Sequence, residues 1–273
     1  MKNILVPIDF SKNAERAIGA ARIIGKSLDA QLVLLHAHQP YMAEVTLGRG
    51  TLPGFDDLEA SFRKDLNRYA DELKSEGFSV EAIWEEGTVA EVVKAKIEEL
   101  KPELVVIGRT GKGGFVDKLF GTAATDIVKV ATAPVLILPP QSKPENFKEI
   151  VYATQLEYEE RHVIKQVLEL SKALGGRVTF LKVDSLTQPN VQDDRQFIQE
   201  IIEEFGLPED DFVIKEAGSV VGGIESFATE MNADLLVVAT RSRGFLEKLF
   251  IDPSVTSRLI VKTPIPLLVY HLN

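Results

Sequence analysis

The sequence predicts an α/β fold built twice over: two tandem domains, each a parallel sheet with helices on both faces. Three observations carry this. Short apolar strand patterns alternate with longer stretches whose apolar residues recur at helical spacing, which is the pattern of βαβ units. The alternation runs through five strands and then begins again for five more. Finally, GFVDKLF at 114–120 recurs as GFLEKLF at 244–250, with five of seven positions identical.

Taken in order, the first copy opens on KNILVPIDF (2–10) and the second on KEIVYATQL (148–156), each an apolar strand followed by a helical pattern. Ser11 can cap the first helix, whose apolar positions are Ala14, Ala17, Ile18, Ala21 and Ile24. Val163, Val167, Leu168 and Leu174 mark its counterpart. The second strands are QLVLLHAH (31–38) and RVTFLKVD (177–184), and helical patterns follow over 58–76 and 191–205. Third strands VEAIWEE (80–86) and DFVIKEA (211–217) lead to short helices starting near Val89 and Val220. ELVVIG (103–108) and DLLVVA (234–239) are fourth strands, and PVLILP (134–139) and PLLVYH (266–271) are fifth. Pro139-Pro140-Gln141-Ser142-Lys143-Pro144 reads as a stiff exposed connection, so the domains are expected at 1–140 and 147–273.

Bulk properties exclude several function classes. With no Cys among 273 residues there is no disulfide, thiolate nucleophile or Cys-based zinc site. The formal net charge of -10 disfavours nucleic acid and anionic membranes as partners. No apolar run approaches the ~20 residues of a membrane span, and the N-terminus lacks the apolar core of a signal peptide. The expected compartment is the cytoplasm.

In parallel sheets ligands sit beyond the carboxyl ends of the strands, where strand order reverses. The unusual residues lie there. The fourth strand of the first copy runs into Gly108-x2-Gly111-x9-Gly121-Thr122. Glycines let backbone N–H groups approach a ligand without a Cβ in the way, and successive N–H groups form an anion nest. Gly121-Thr122 opens a helical pattern whose N-terminal dipole favours phosphate. Arg109, Lys112 and Lys118 add positive charge. The spacing is neither the Walker pattern nor G-x-G-x-x-G. A turn whose glycines serve geometry alone is the other reading.

LVPIDFS at the start, LLHAH in the second strand, G-x2-G-x9-G-T and the closing APVLILP together resemble the universal stress proteins in their tandem form. The resemblance implies an adenine-nucleotide-hydrolase-like, Rossmann-like sheet of order 3-2-1-4-5 in each domain. It also implies binding of ATP or AMP, with Mg²⁺ admissible where phosphates are bound. By position, Pro7 and Asp9 would lie at the adenosine end and Ala37 would meet the base through its backbone. Ile107, Gly108, Gly111, Gly121, Thr122 and Ala123 would hold ribose and phosphates, with Arg109 beside them. From the residues alone, Asp9 could accept from ribose or adenine, or could help cap the helix beside Ser11. The family pairs domains through the fifth strand, which implies an intrachain pseudo-dimer; further homodimerisation is open.

The second copy departs from this pattern. Gln155 stands for Asp9, Ala153 for Pro7, Ala239 for Gly108, and Pro253-Ser254 for Gly121-Thr122. Proline has no N–H to offer an anion. Arg241, Arg243 and Lys248 keep some basic character there, so a copy that mainly packs and a weaker anion site both stand.

Other constellations carry less. His36 and His38 share a strand face at a spacing that could hold a metal, with no carboxylate cluster evident to complete it. Acidic runs such as 157–160 read as solvated faces or helix-end charges. The Gly-containing stretch 41–57 reads as a lid or a loop. No G-x-S-x-G elbow or nucleophile–base pair is evident. The sequence therefore points to a nucleotide-binding stress or signalling protein without fast chemistry. A slow ATP hydrolase or phosphotransfer protein, and an interaction module with a vestigial pocket, are the alternatives.

Overall fold

A computed structural model describes residues 2–38, 55–109, 122–185, 194–241 and 255–272. In chain order the first repeat contains β1 (Asn3–Pro7), α1 (Lys12–Leu28), β2 (Gln31–His38), α2 (Phe55–Ser75), β3 (Val80–Glu86), α3 (Val89–Leu100), β4 (Leu104–Gly108), α4 (Thr122–Val130) and β5 (Val135–Leu138). The second contains β6 (Glu149–Ala153), α5 (Arg161–Leu174), β7 (Arg177–Ser185), α6 (Asp194–Phe205), β8 (Phe212–Ala217), α7 (Val220–Glu230), β9 (Leu235–Arg241), α8 (Val255–Lys262) and β10 (Leu267–Leu272). The expected elements are all present. The second helix starts three residues earlier than its periodicity suggested, at Phe55, so only the tail of the 41–57 stretch is described, and it is helical.

Contacts divide the chain after Ala133. Unit 1 holds four parallel strands in the order β3-β2-β1-β4. Unit 2 holds β5-β10-β9-β6-β7-β8. Within it the second repeat shows the full expected order, β8-β7-β6-β9-β10, all parallel. The first repeat's own fifth strand, β5, pairs antiparallel with β10 through Leu267↔Ile137, Leu268↔Leu136 and Val269↔Val135. The fifth strands thus pair with each other, as the tandem arrangement implied.

Central strands are buried on both faces. Ile4, Leu5 and Val6 are consecutive and all fully buried, and since consecutive strand residues face opposite ways, helices must cover both sides. β6 repeats this with Ile150, Val151 and Tyr152. The caps follow the sequence. Ser11 Oγ accepts from the N–H groups of Asn13 and Ala14 at 3.2 and 3.3 Å. Thr88 and Glu91 form a capping box at the start of α3.

The duplication extends to backbone detail. Asn3↔Gln31 in the first repeat matches Glu149↔Arg177 in the second. The N–H of Ile8 donates to Leu35 C=O as that of Thr154 does to Leu181 C=O. Phe10 and Leu156, at equivalent places, both adopt φ of 59°, which costs a residue bearing a Cβ and is kept in both copies. The connection between repeats turns at Pro139, whose C=O accepts from Ser142 N–H at 3.0 Å. It ends at Phe147, fully buried, which anchors the segment.

Because β5 is built into unit 2, a core truncation there should loosen the second unit. Leu136→Ala is expected to cost about 2–5 kcal/mol, the range for a buried leucine. Hydrogen exchange would locate the loss. Faster exchange in β9 and β10 with β1 and β2 unchanged is the expected result; the reverse pattern contradicts the assignment.

Candidate functional site

β1 lies between β2 and β4, so the chain reverses direction across the sheet at its carboxyl end. Leu5 pairs with Val105, so Pro7 and Ile107 each lie two residues further along their adjacent strands. Ala37 lies near the end of β2, in register with Glu85 of β3. The structure therefore brings Pro7, Asp9, Ala37, Ile107, Gly108 and Arg109 to one end of three neighbouring strands. Thr122 and Ala123 open α4. Gly111 and Gly121 lie outside the described residues, as do Lys112, Lys118 and most of the 41–57 stretch.

Gly108 has an architectural reason to be glycine. A Cβ there would lie 2.1 Å from the carbonyl oxygen of Asn13 and 2.8 Å from its Cβ. The first turn of α1 thus rests directly on the end of β4. Asp9 is exposed, and its Oδ1 accepts the N–H of Ser11 at 3.0 Å. This bond holds the turn that leads into α1, while the helix cap itself is Ser11. Arg109 is half-buried, and desolvation lowers its pKa; a guanidinium starts so high that it stays charged.

An aromatic layer that sequence reading missed surrounds His36. Its Nδ1 lies 2.8 Å from Ile8 C=O, linking the ends of β2 and β1. Its ring sits 4.5 Å from Trp84 and 4.7 Å from Phe10. Phe10 stacks on Phe62 of α2 at 5.0 Å, and Arg63 covers Trp84 at 4.4 Å. Glu59 accepts from Arg63 Nε at 2.8 Å and lies 3.8 Å from His38 Nε2. Burial lowers the His36 pKa; the hydrogen bond to Ile8 and the charge of Asp9 oppose this, while His38 adds to it. Nothing in the one-dimensional pattern joins Phe10, Phe62 and Trp84, because they are brought together only by the strand order. The rings of His36 and His38 both lie against Trp84, at 4.5 and 5.3 Å; among the described residues no group of three His, Asp or Glu side chains could hold a metal.

The second repeat fills the equivalent place differently. Lys182 takes the position of His36 and pairs with Asp194 at 2.5 Å, both side chains being buried. Gln155, standing for Asp9, is exposed. Glu160, in the acidic run expected to be solvated, is buried instead. It accepts from the Thr154 hydroxyl and from Gln155 N–H at 3.1 Å. Ala239 stands where the first repeat has Gly108, and here α5 begins only at Arg161, after a 3-10 turn, Tyr158–Glu160. Arg241 ends β9, while Arg243, Lys248, Pro253 and Ser254 lie outside the described residues.

The model of the universal stress protein family matches residues 1–139 and again 146–271. The chain belongs to this family. A family relative from Staphylococcus aureus (strain USA300) is 25% identical over 166 residues, covering 57% of this chain and 94% of its own. A universal stress protein structure from Archaeoglobus fulgidus DSM 4304 superposes with a TM-score of 0.76 at 19% identity, covering 99% of this chain and 96% of its own. One from Pseudomonas aeruginosa UCBPP-PA14 gives 0.71 at 16% identity, covering 99% and 93%. At these identities the structures establish the shared fold. Among the described residues of this universal stress protein, no helix is long and apolar enough to cross a membrane.

The His36 environment has a consequence for pH. A lowered folded-state pKa means that the unfolded chain takes up a proton first as pH falls below the ordinary 6.5. The stabilisation from neutral His36 is therefore present above that value and lost as pH falls toward the folded-state value. His36→Asn, which keeps a donor near Ile8, should flatten the loss of stability between about pH 7.5 and 5.5 in urea titrations. An unchanged slope in the variant would assign the effect to other groups.

Proposed function

We propose that the first repeat binds an adenine nucleotide, ATP or AMP, beyond the carboxyl ends of β1, β2 and β4. Occupancy of that site, with no fast chemistry, would be this universal stress protein's contribution to a stress response. The observation that carries the reading is the convergence of Pro7, Asp9, Ala37, Ile107 and Gly108 at one strand switch, with α4 opening at the end of the G-x2-G-x9-G-T spacing. In this reading Pro7 and Asp9 flank the adenosine and the Ala37 backbone meets the base. Ile107, Gly108, Gly111, Gly121, Thr122 and Ala123 hold ribose and phosphates. Arg109, charged and half-buried at the end of β4, favours the anion. Mg²⁺ would enter with ATP, held mainly by phosphate oxygens and water.

Gly108 supports the reading indirectly. Beyond any contact with the ligand, its missing Cβ lets the first turn of α1 seat against the end of β4 at Asn13. The second repeat, with Ala239 and with Glu160 at its strand end, is not assigned a nucleotide.

Isothermal titration with AMP and ATP tests this directly. One nucleotide per chain is expected. Asp9→Ala should weaken binding by roughly tenfold, the loss of one hydrogen bond to a charged group. Gly121→Val should abolish it, and Gln155→Ala should leave it unchanged. Absence of binding, or binding insensitive to Asp9 and Gly121, contradicts the proposal.

A further inference from the structure

The turn after β6 carries a carboxylate where a buried charge must be strongly justified. Glu160 is 2% exposed and Thr154, facing it, is also 2% exposed. An ionised carboxylate removed from water is costly unless donors meet it. Here they do. The Thr154 hydroxyl donates to Oε2, and the N–H of Gln155 lies 3.1 Å from Oε1 and 3.2 Å from Oε2. Thr154 Oγ1 itself accepts the N–H of Leu156 at 2.9 Å, which leaves its proton for the carboxylate. The turn is held in shape by Leu156, buried, with φ of 59°.

The first repeat has the same turn without this occupant. Phe10 carries the same φ, and Ile8, at the Thr154 position, has no hydroxyl. α1 starts at Lys12, leaving no room in the chain for a 3-10 turn that could return a carboxylate. The second repeat has both changes together: a hydroxyl at the strand end, and a longer entry whose last residue folds back onto it.

We infer that the turn after β6 is an oxyanion site whose resident ligand is the chain's own Glu160. Self-ligation closes this end of the second repeat to small anions from solution. The ligand class it fits is a planar carboxylate, gripped by the Thr154 hydroxyl and by backbone N–H groups of the turn. The inference is independent of nucleotide binding in the first repeat.

Chemical rescue tests it on the full-length chain. Glu160→Ala keeps the donors and removes the ligand, so it should be less heat-stable than the parent and should recover with sodium formate. The recovery should saturate, reaching about 4 °C at roughly ten times the formate dissociation constant. Sodium chloride at equal ionic strength should not reproduce it. Glu160→Gln, which still fills the space, and the parent protein should not respond to formate beyond the chloride control. Equal effects of formate on all three proteins, or no selective effect on Glu160→Ala, overturn the inference. Should Glu160→Ala not fold, Thr154→Ser and Thr154→Val decide. The serine variant should match the parent and the valine variant should lose stability; equal stabilities overturn it.

Discussion

The structure depends on one constraint, the parallel pairing of the first strand of each repeat between the second and the fourth. Parallel neighbours need crossover helices, and a central strand fed from both sides leaves the connections diverging at its carboxyl end. β1 and β6 both occupy this place. Their burial follows from it, since a strand flanked by two others and covered on both faces has no solvent side. So does the gap beyond their ends, which the hydrogen-bonding geometry of the sheet cannot fill and which side chains, loops or ligands must.

The two repeats fill that gap with different chemistry on a common backbone. In the first, a histidine bridges the ends of two strands and is packed by aromatic rings from the first turn, α2 and β3. Such contacts give stacking and apolar burial with little net charge. In the second, an ion pair joins β7 to α6 at the same level, and a carboxylate is tied into the turn. A buried ion pair is a weak source of net stability but a strong penalty for any arrangement that separates it. The first solution leaves Asp9 at the surface beside the strand switch; the second turns its acidic group inward.

Much of this was legible in the sequence because the information was local or periodic. Strand and helix types followed from apolar spacing, the first cap from Ser11, and the repeat from GF-x-x-KLF, whereas the Thr88–Glu91 capping box emerged only in the structure. Glycine spacing pointed to the end of β4, where Gly108 and Arg109 lie; Gly111 and Gly121 are outside the described residues. The reason for Gly108 was not readable: glycine loops suggest ligand approach, whereas its Cβ would strike Asn13, a contact created by the packing of α1 on β4. The aromatic layer was hidden for a similar reason. Phe10 belongs to the turn after β1 and His36, Phe62 and Trp84 to β2, α2 and β3, so they become neighbours only through the fold. Glu160 was masked by composition, since an acid among acids reads as solvated and only the fold shows which one is enclosed.

The asymmetry between the repeats therefore has two independent layers. One is written in the loop, where glycines give way to Ala239 and Pro253. The other is written at the strand ends, where Ile8 gives way to Thr154 and His36 to Lys182, and where a longer entry delivers Glu160. Loss of the glycines alone would remove groups able to hold a ligand and leave the gap unfilled. The strand-end changes supply an internal carboxylate and a paired lysine in its place, so polar groups that a ligand would otherwise satisfy are satisfied from within. A repeat that had merely stopped binding would be expected to carry unmatched polar groups at that turn. Glu160, Thr154 and Gln155 are instead matched to each other, which makes closure of the second repeat a built feature of this universal stress protein.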